Sequence, residues 1–186
     1  MEKLPDSFSQ ALNKIHEGEN KASEELWTLV YAELKRMARR KLGFGFSRRT
    51  LSSTTLVHEV YLRIGERLAG NIKDRQHFMA LSARAMRQII TQHARSRAAL
   101  KRSHESVPFD DELLGQGTKV NDFLVLDGVL EKLESADEKL VRVVECRFFG
   151  GLTNEETATA LSITSRTVER HWTKARMFLS KALESA

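Results

Sequence analysis

Apolar residues recur along this chain at intervals of three and four and do not alternate, so the pattern predicts helices and no strands. Phe8, Leu12 and Ile15 mark a short helix over 7–17. Asn20 stands as the N-cap of a longer helix ending near 42, with Leu26, Leu29, Val30, Leu34, Met37 and Ala38 facing inward. A third helix over 54–68 carries Leu56, Val57, Val60, Tyr61, Ile64 and Leu68 on one stripe. A fourth over 75–97 turns Phe78, Leu81, Ala85, Ile89 and Ala94 inward. Its other face is a row of cations and amides: Arg84, Arg87, Gln88, Gln92, His93, Arg95 and Arg97. The helical period is lost over 101–121, where Pro108, Gly115, Gly117 and the acidic run from Asp110 to Glu112 read as a linker. It returns over 122–134 (Phe123, Leu126, Leu130, Leu133) and 136–149 (Leu140, Val144, Phe148). The expected fold is all-α, with two small helical domains, 1–100 and 122–186, joined by a flexible acidic linker over 101–121.

The densest local signal lies near the C-terminus. Thr153 and Glu156 form a Thr-x-x-Glu capping box, which marks a helix start. Ala158 and Leu161 give that helix an inward stripe, Ser162 and Ile163 make a turn, and Thr164 is placed to cap the next helix. There Val168, Trp172, Ala175 and Leu179 face inward, while Ser165, Arg166, Glu169, Arg170, Thr173 and Lys174 face out. A short capped helix leading into a longer basic one is the helix-turn-helix arrangement, whose second helix enters the DNA major groove. Two-helix turns also serve as mere packing units, so the rest of the chain has to decide.

Charge sharpens the picture. The 186 residues carry a formal net charge of +5, but it is segregated. Residues 1–102 hold 20 Lys and Arg against 10 Asp and Glu, residues 103–138 hold 2 against 10, and residues 139–186 hold 8 against 5. Two basic blocks flanking an acidic one suggest two polyanion-binding modules on a connector. The single cysteine, Cys146, excludes an internal disulfide, and its apolar neighbours make it a structural thiol. No His/Cys cluster has metal-ligand spacing, and no histidine follows His58-Glu59 at the metalloprotease position. No apolar run is long enough for membrane insertion, and the N-terminus lacks a signal-peptide core. Neither a metal nor a cofactor is expected.

The order of elements, and three stretches in particular, resemble bacterial RNA polymerase sigma factors of the sigma-70 family in their two-domain extracytoplasmic-function (ECF) form. Thr55 to Arg63 resembles the polymerase-binding helix of sigma domain two. Asp74 to Ile90, with His93 to Arg95, resembles the helix that reads and melts the −10 element. Arg147 to Arg176 resembles sigma domain four, which reads the −35 element. The resemblance implies a cytoplasmic, non-enzymatic factor whose partners are promoter DNA and core RNA polymerase, through its largest-subunit coiled coil and its flap. It leaves room for an anti-sigma protein or a kinase-linked regulator. It implies polymerase contacts at Leu56, His58, Glu59, Leu62, Arg63 and Glu66. It implies −10 contacts at Asn71, Arg84, Arg87, Gln88, His93, Arg95 and Arg97, with 71–77 as a base-capturing loop. It implies −35 contacts at Ser165, Arg166, Glu169, Arg170, Thr173 and Lys174. Arg170 suits guanine O6 and N7, and Glu169 suits cytosine N4. A helix-turn-helix regulator with a helical sensor domain is the competing reading. That regulator would need a ligand pocket or a phospho-acceptor aspartate on a strand, yet the first hundred residues hold only two aspartates, Asp6 and Asp74, and no strand pattern. A nucleic-acid hydrolase would need clustered carboxylates, yet this stretch is acid-poor and its conspicuous residues are Arg, His and Gln.

Overall fold

The computed structural model describes residues 7–19, 21–42, 51–65, 72–103 and 111–184, with side chains described outside 100–122. Every regular element among them is helical, as the apolar period required: α1 Ser7–His16, α2 Ala22–Leu42, α3 Ser53–Gly65, α4 Arg75–Ser103, α5 Asp111–Ala136, α6 Glu138–Val144, a π-helical turn Glu145–Gly150, α7 Asn154–Leu161 and α8 Ser165–Glu184. Side-chain caps set several starts. The Ser52 hydroxyl accepts the Thr55 N–H at 3.0 Å, the Asp74 carboxylate accepts that of His77 at 2.8 Å, and Asp137 caps α6. Asn20, offered as the cap of α2, and Leu68 lie outside the described residues.

Helices α1 to α4 enclose an aromatic centre in which Trp27 meets Tyr61 and Phe78 edge-on, with centroids 4.6 and 5.4 Å apart. Leu29, read as inward, is instead 46% exposed, because the buried stripe of α2 runs through Leu26, Trp27, Val30 and Leu34. The larger departure concerns α4. Beyond its expected stripe, Met79, Ala83, Met86 and Ile90 are buried as well. A helix buried on more than one side needs a second partner, and the C-terminal half supplies it. Helix α4 packs on α5, the π turn and α7, and one continuous apolar cluster runs from Phe8 to Ala175. The stretch 111–121, expected to be linker, is the first part of α5. Its glycines, Gly115 and Gly117, cost helix propensity.

The π turn explains another difference. Extending the helical stripe from Val144 puts Phe148 inside, whereas Phe148 is exposed and Phe149 is buried. A π turn closes on the fifth residue rather than the fourth, so the inward position moves on by one. Gly151 then ends it in the left-handed region, φ +68°, and the Leu152 N–H returns to the Cys146 carbonyl at 3.1 Å. Gly150 lies against α4 so closely that a Cβ built there would stand 3.3 Å from the Ala83 Cβ.

Lys41, at the end of α2, holds its ammonium 3.7 Å from the Phe148 ring centroid. Burial, then repulsion from Arg40, lowers its pKa from 10.5 to about 8. The folded chain therefore releases this proton before the unfolded chain does, and the stability contribution rises as pH climbs from about 8 towards 10.5. Urea unfolding across that range should show the rise in the wild type and a flatter profile in Lys41→Met. Parallel profiles would refute the assignment.

Candidate nucleic-acid interface

The helix-turn-helix forms as the local chemistry dictates. Both halves of the capping box are made, with Thr153 Oγ1 accepting the Glu156 N–H at 3.1 Å and Glu156 Oε2 accepting that of Thr153 at 2.8 Å. Ser162 turns the chain in the left-handed region, φ 55°, and Thr164 Oγ1 accepts the Thr167 N–H at 3.2 Å. Val168 and Ala175 anchor α8 with no exposure, and Trp172 packs inward with Arg147 over its ring. The opposite face of α8 gathers Arg166, Glu169, Arg170, Thr173 and Lys174 along one shallow groove with Thr164, Thr167 and Met177. Ser165 is half-buried and does not line it. Arg166 and Arg170 are exposed and make no ion pair with a described residue. Glu169 accepts from Asn154 at 3.3 Å, and Lys174 lies 3.9 Å from Asp137.

The cationic face of α4 is arranged differently. A second groove brings together Arg84, Arg87, Gln88 and Arg95, but it is walled by carboxylates from α5 and the π turn. Arg87 is buried between Asp127 and Glu145, themselves buried, at 3.1 and 3.0 Å. Arg84 approaches Glu134 at 3.5 Å, and Arg95 reaches Asp127 at 3.2 Å and Glu131 at 2.5 Å. Burial works against the Arg87 cation, but the two carboxylates outweigh it and raise its pKa. Burial pushes the Glu145 carboxyl up, with Arg87 pulling it back. The expectation of an open row of cations is thus corrected: Arg87 is sealed, and Arg84 and Arg95 are paired. His93 faces away from the groove and bonds Glu59 at 2.9 Å, and Arg97 does not line it. Asn71 and Glu66 lie outside the described residues. In the expected base-capturing loop, Ile72 is buried and the Lys73 N–H donates to His77 Nδ1 at 3.2 Å.

The α3 candidates divide in the same way. Leu56 is fully buried and belongs to the core, so it offers no docking surface. Arg63 reaches Gln88 and Gln92 on α4, both at 3.4 Å, and Glu59 is engaged by His93. His58 and Leu62 remain exposed, Leu62 at 58%. Sequence reasoning missed Asp127, Glu131 and Glu134 as partners of α4, although their i, i+4, i+7 spacing places them on one helix face. Burial pushes the Cys146 thiol up to about 12, as suits a structural residue. Among the described residues no helix is long and apolar enough to cross a membrane.

Among the described residues the chain is all helical, with a helix-turn-helix whose second helix carries an open polar and basic face, an arrangement found in DNA-binding proteins of the transcription-factor class. The chain matches the ECF sigma factor family over residues 5–185, and it belongs to that family. Its role is therefore in transcription initiation and its regulation. No curated protein matches it.

Breaking one member of a buried ion network strands the others, at a cost of about 3–5 kcal/mol. Arg87→Met should lower unfolding stability in urea by about that amount, because Asp127 and Glu145 stay buried without their cation. Converting all three together, Arg87→Met with Asp127→Leu and Glu145→Leu, should recover most of the loss. A single substitution costing under about 1 kcal/mol, the scale of an exposed pair, would refute the buried network.

Proposed function

We propose that this chain binds core RNA polymerase and directs it to specific promoters, with α8 reading the −35 element and α4 receiving the −10 strand. One observation carries the reading: α8 fixes itself by Val168 and Ala175 while leaving Arg166, Glu169, Arg170, Thr173 and Lys174 outward along a single groove. Side chains of that kind on the second helix of a helix-turn-helix meet base edges and phosphates in the major groove. Arg170 serves guanine O6 and N7, Glu169 serves cytosine N4, and Arg166 and Lys174 supply phosphate contacts that carry affinity but no sequence information. The exposed His58 and Leu62 on α3 form the centre of the polymerase-docking face. Arg63 belongs functionally with α4, since it bonds Gln88 and Gln92 there. Such a factor works in the cytoplasm beside polymerase.

Run-off transcription with purified core polymerase, this protein and a promoter library tests the reading and returns both elements. Promoter-specific transcripts are expected only when the protein is present. Arg170→Ala should reduce transcription from the selected promoters by about tenfold or more, matching about 1–3 kcal/mol for a bidentate base contact, and leave polymerase binding intact. Unchanged transcription would remove Arg170 from the recognition face.

A further inference from the structure

Among the described residues, Glu169 is the single acid lining the α8 groove, set among Arg166, Arg170 and Lys174. An exposed glutamate so placed would ordinarily pair with a cation on its own helix, and Arg166, three residues before it, is the neighbour in reach. Glu169 bonds elsewhere. Its Oε1 accepts from Nδ2 of Asn154, the first residue of α7, at 3.3 Å. Arg166 and Arg170 are left without an ion pair to any described residue.

The local helix chemistry does not call for asparagine at 154. Thr153 is the N-cap of α7 and Glu156 completes the capping box, so the helix start is satisfied without it. Asn154 even carries a cost, since its Oδ1 is buried and unpartnered, and a buried oxygen without a donor is unfavourable. Its amide has one settled orientation, because turning it over would set oxygen against the Glu169 carboxylate. Such a side chain is accounted for by what it does to the acid it holds. We propose that Asn154 is a positioning residue for base readout, fixing the Glu169 carboxylate for its base and keeping it off the arginines. This rests on the reading of α8 as the recognition helix and of Glu169 as the partner of cytosine N4.

The division of labour between the two carboxylate oxygens makes the device work. Oε1 is engaged by Asn154, and Oε2 keeps its lone pairs for the amine hydrogen that cytosine offers in the major groove. A methylated pyrimidine presents a carbonyl oxygen at the same place, which a fixed carboxylate repels and a mobile one can avoid. Holding the glutamate still before DNA arrives also removes part of the ordering cost of binding. The same bond keeps Glu169 from neutralising Arg166, whose charge stays available to a phosphate.

Selection of random-sequence duplex DNA by the full-length chain tests this, at low salt, where phosphate contacts hold the duplex. The wild type should enrich cytosine over thymine about tenfold at one position, the scale of a single base contact. Glu169→Ala should abolish that preference and so locate the base. Asn154→Ala should weaken the preference there by about fivefold and leave the other positions as they were. Asn154→Asp should weaken it at least as much, since it keeps the side chain's shape and suits a helix N-terminus but lacks the donor. Added to Glu169→Ala, Asn154→Ala should alter no preference further. Wild-type preference in both Asn154 variants would overturn the proposal. An equal decline at every position, the mark of a loosened helix-turn-helix, would overturn it too, as would a Glu169→Ala chain with every preference intact. Run-off transcription on promoters bearing the selected element separates this from the sigma-factor reading. Promoter-specific transcripts that Asn154→Ala leaves equally selective would overturn the positioning role alone. No transcripts from any promoter, with the base-specific loss still seen in the selection, would overturn the sigma-factor reading alone.

Discussion

The arrangement of this molecule turns on one buried cation. Arg87 is sealed in the middle of α4 with Asp127 on one side and Glu145 on the other. Removing a guanidinium from water costs several kcal/mol, and only well-placed counter-charges offset it. Those counter-charges come from two elements that follow α4 in the chain, so burying Arg87 requires α5 and the π turn to dock in one register. Apolar contacts alone would permit sliding along α4. The ionic network does not, because Arg87 must reach Asp127 and Glu145 at once while Asp127 also meets Arg95.

The π turn makes that register reachable. It carries Phe149 rather than Phe148 into the core and points Glu145 at Arg87. It ends on two glycines with separate duties. Gly150 allows the close approach to Ala83, and Gly151 supplies the left-handed residue that reverses the chain towards α7. A side chain at 151 would be strained by φ and would also meet Arg40, whose Nη1 lies 2.9 Å from a Cβ built there. The exposed Phe148 is not wasted, since Lys41 lies over its ring and ties α2 to the same turn. One irregular turn thus touches α2, α4 and α7.

Helix number, the buried stripes of α1 to α4 and the caps at Thr153 and Thr164 were legible in the sequence, because each depends on residues within four or five positions of one another. The open face of α8 was legible for the same reason. What was not legible came from long-range pairing. Arg87 and Gln88 are adjacent in sequence and look alike on a helical wheel, yet one is buried and the other exposed. The difference arises from residues 40 and 58 positions away. The acidic block over 103–138 was visible as a charge excess, but its first part, within 101–121, read as linker for want of a partner. From 111 to 136 it is helical, as α5. Leu56 is a third case: its stripe position argued for the core, and family resemblance argued for docking, and burial decides for the core.

The two arginine-bearing grooves then differ in kind. The groove on α8 is open and carries Arg166 and Arg170 without ion-pair partners among the described residues, whereas the groove on α4 is walled by the chain's own carboxylates. A protein that exposed both would bind polyanions wherever it met them, since phosphate contacts are blind to sequence. Pairing the α4 arginines with the chain's own carboxylates lowers that background and leaves the α8 groove open. Tethering on polymerase raises the effective concentration of each module at a promoter, so neither face needs high affinity alone.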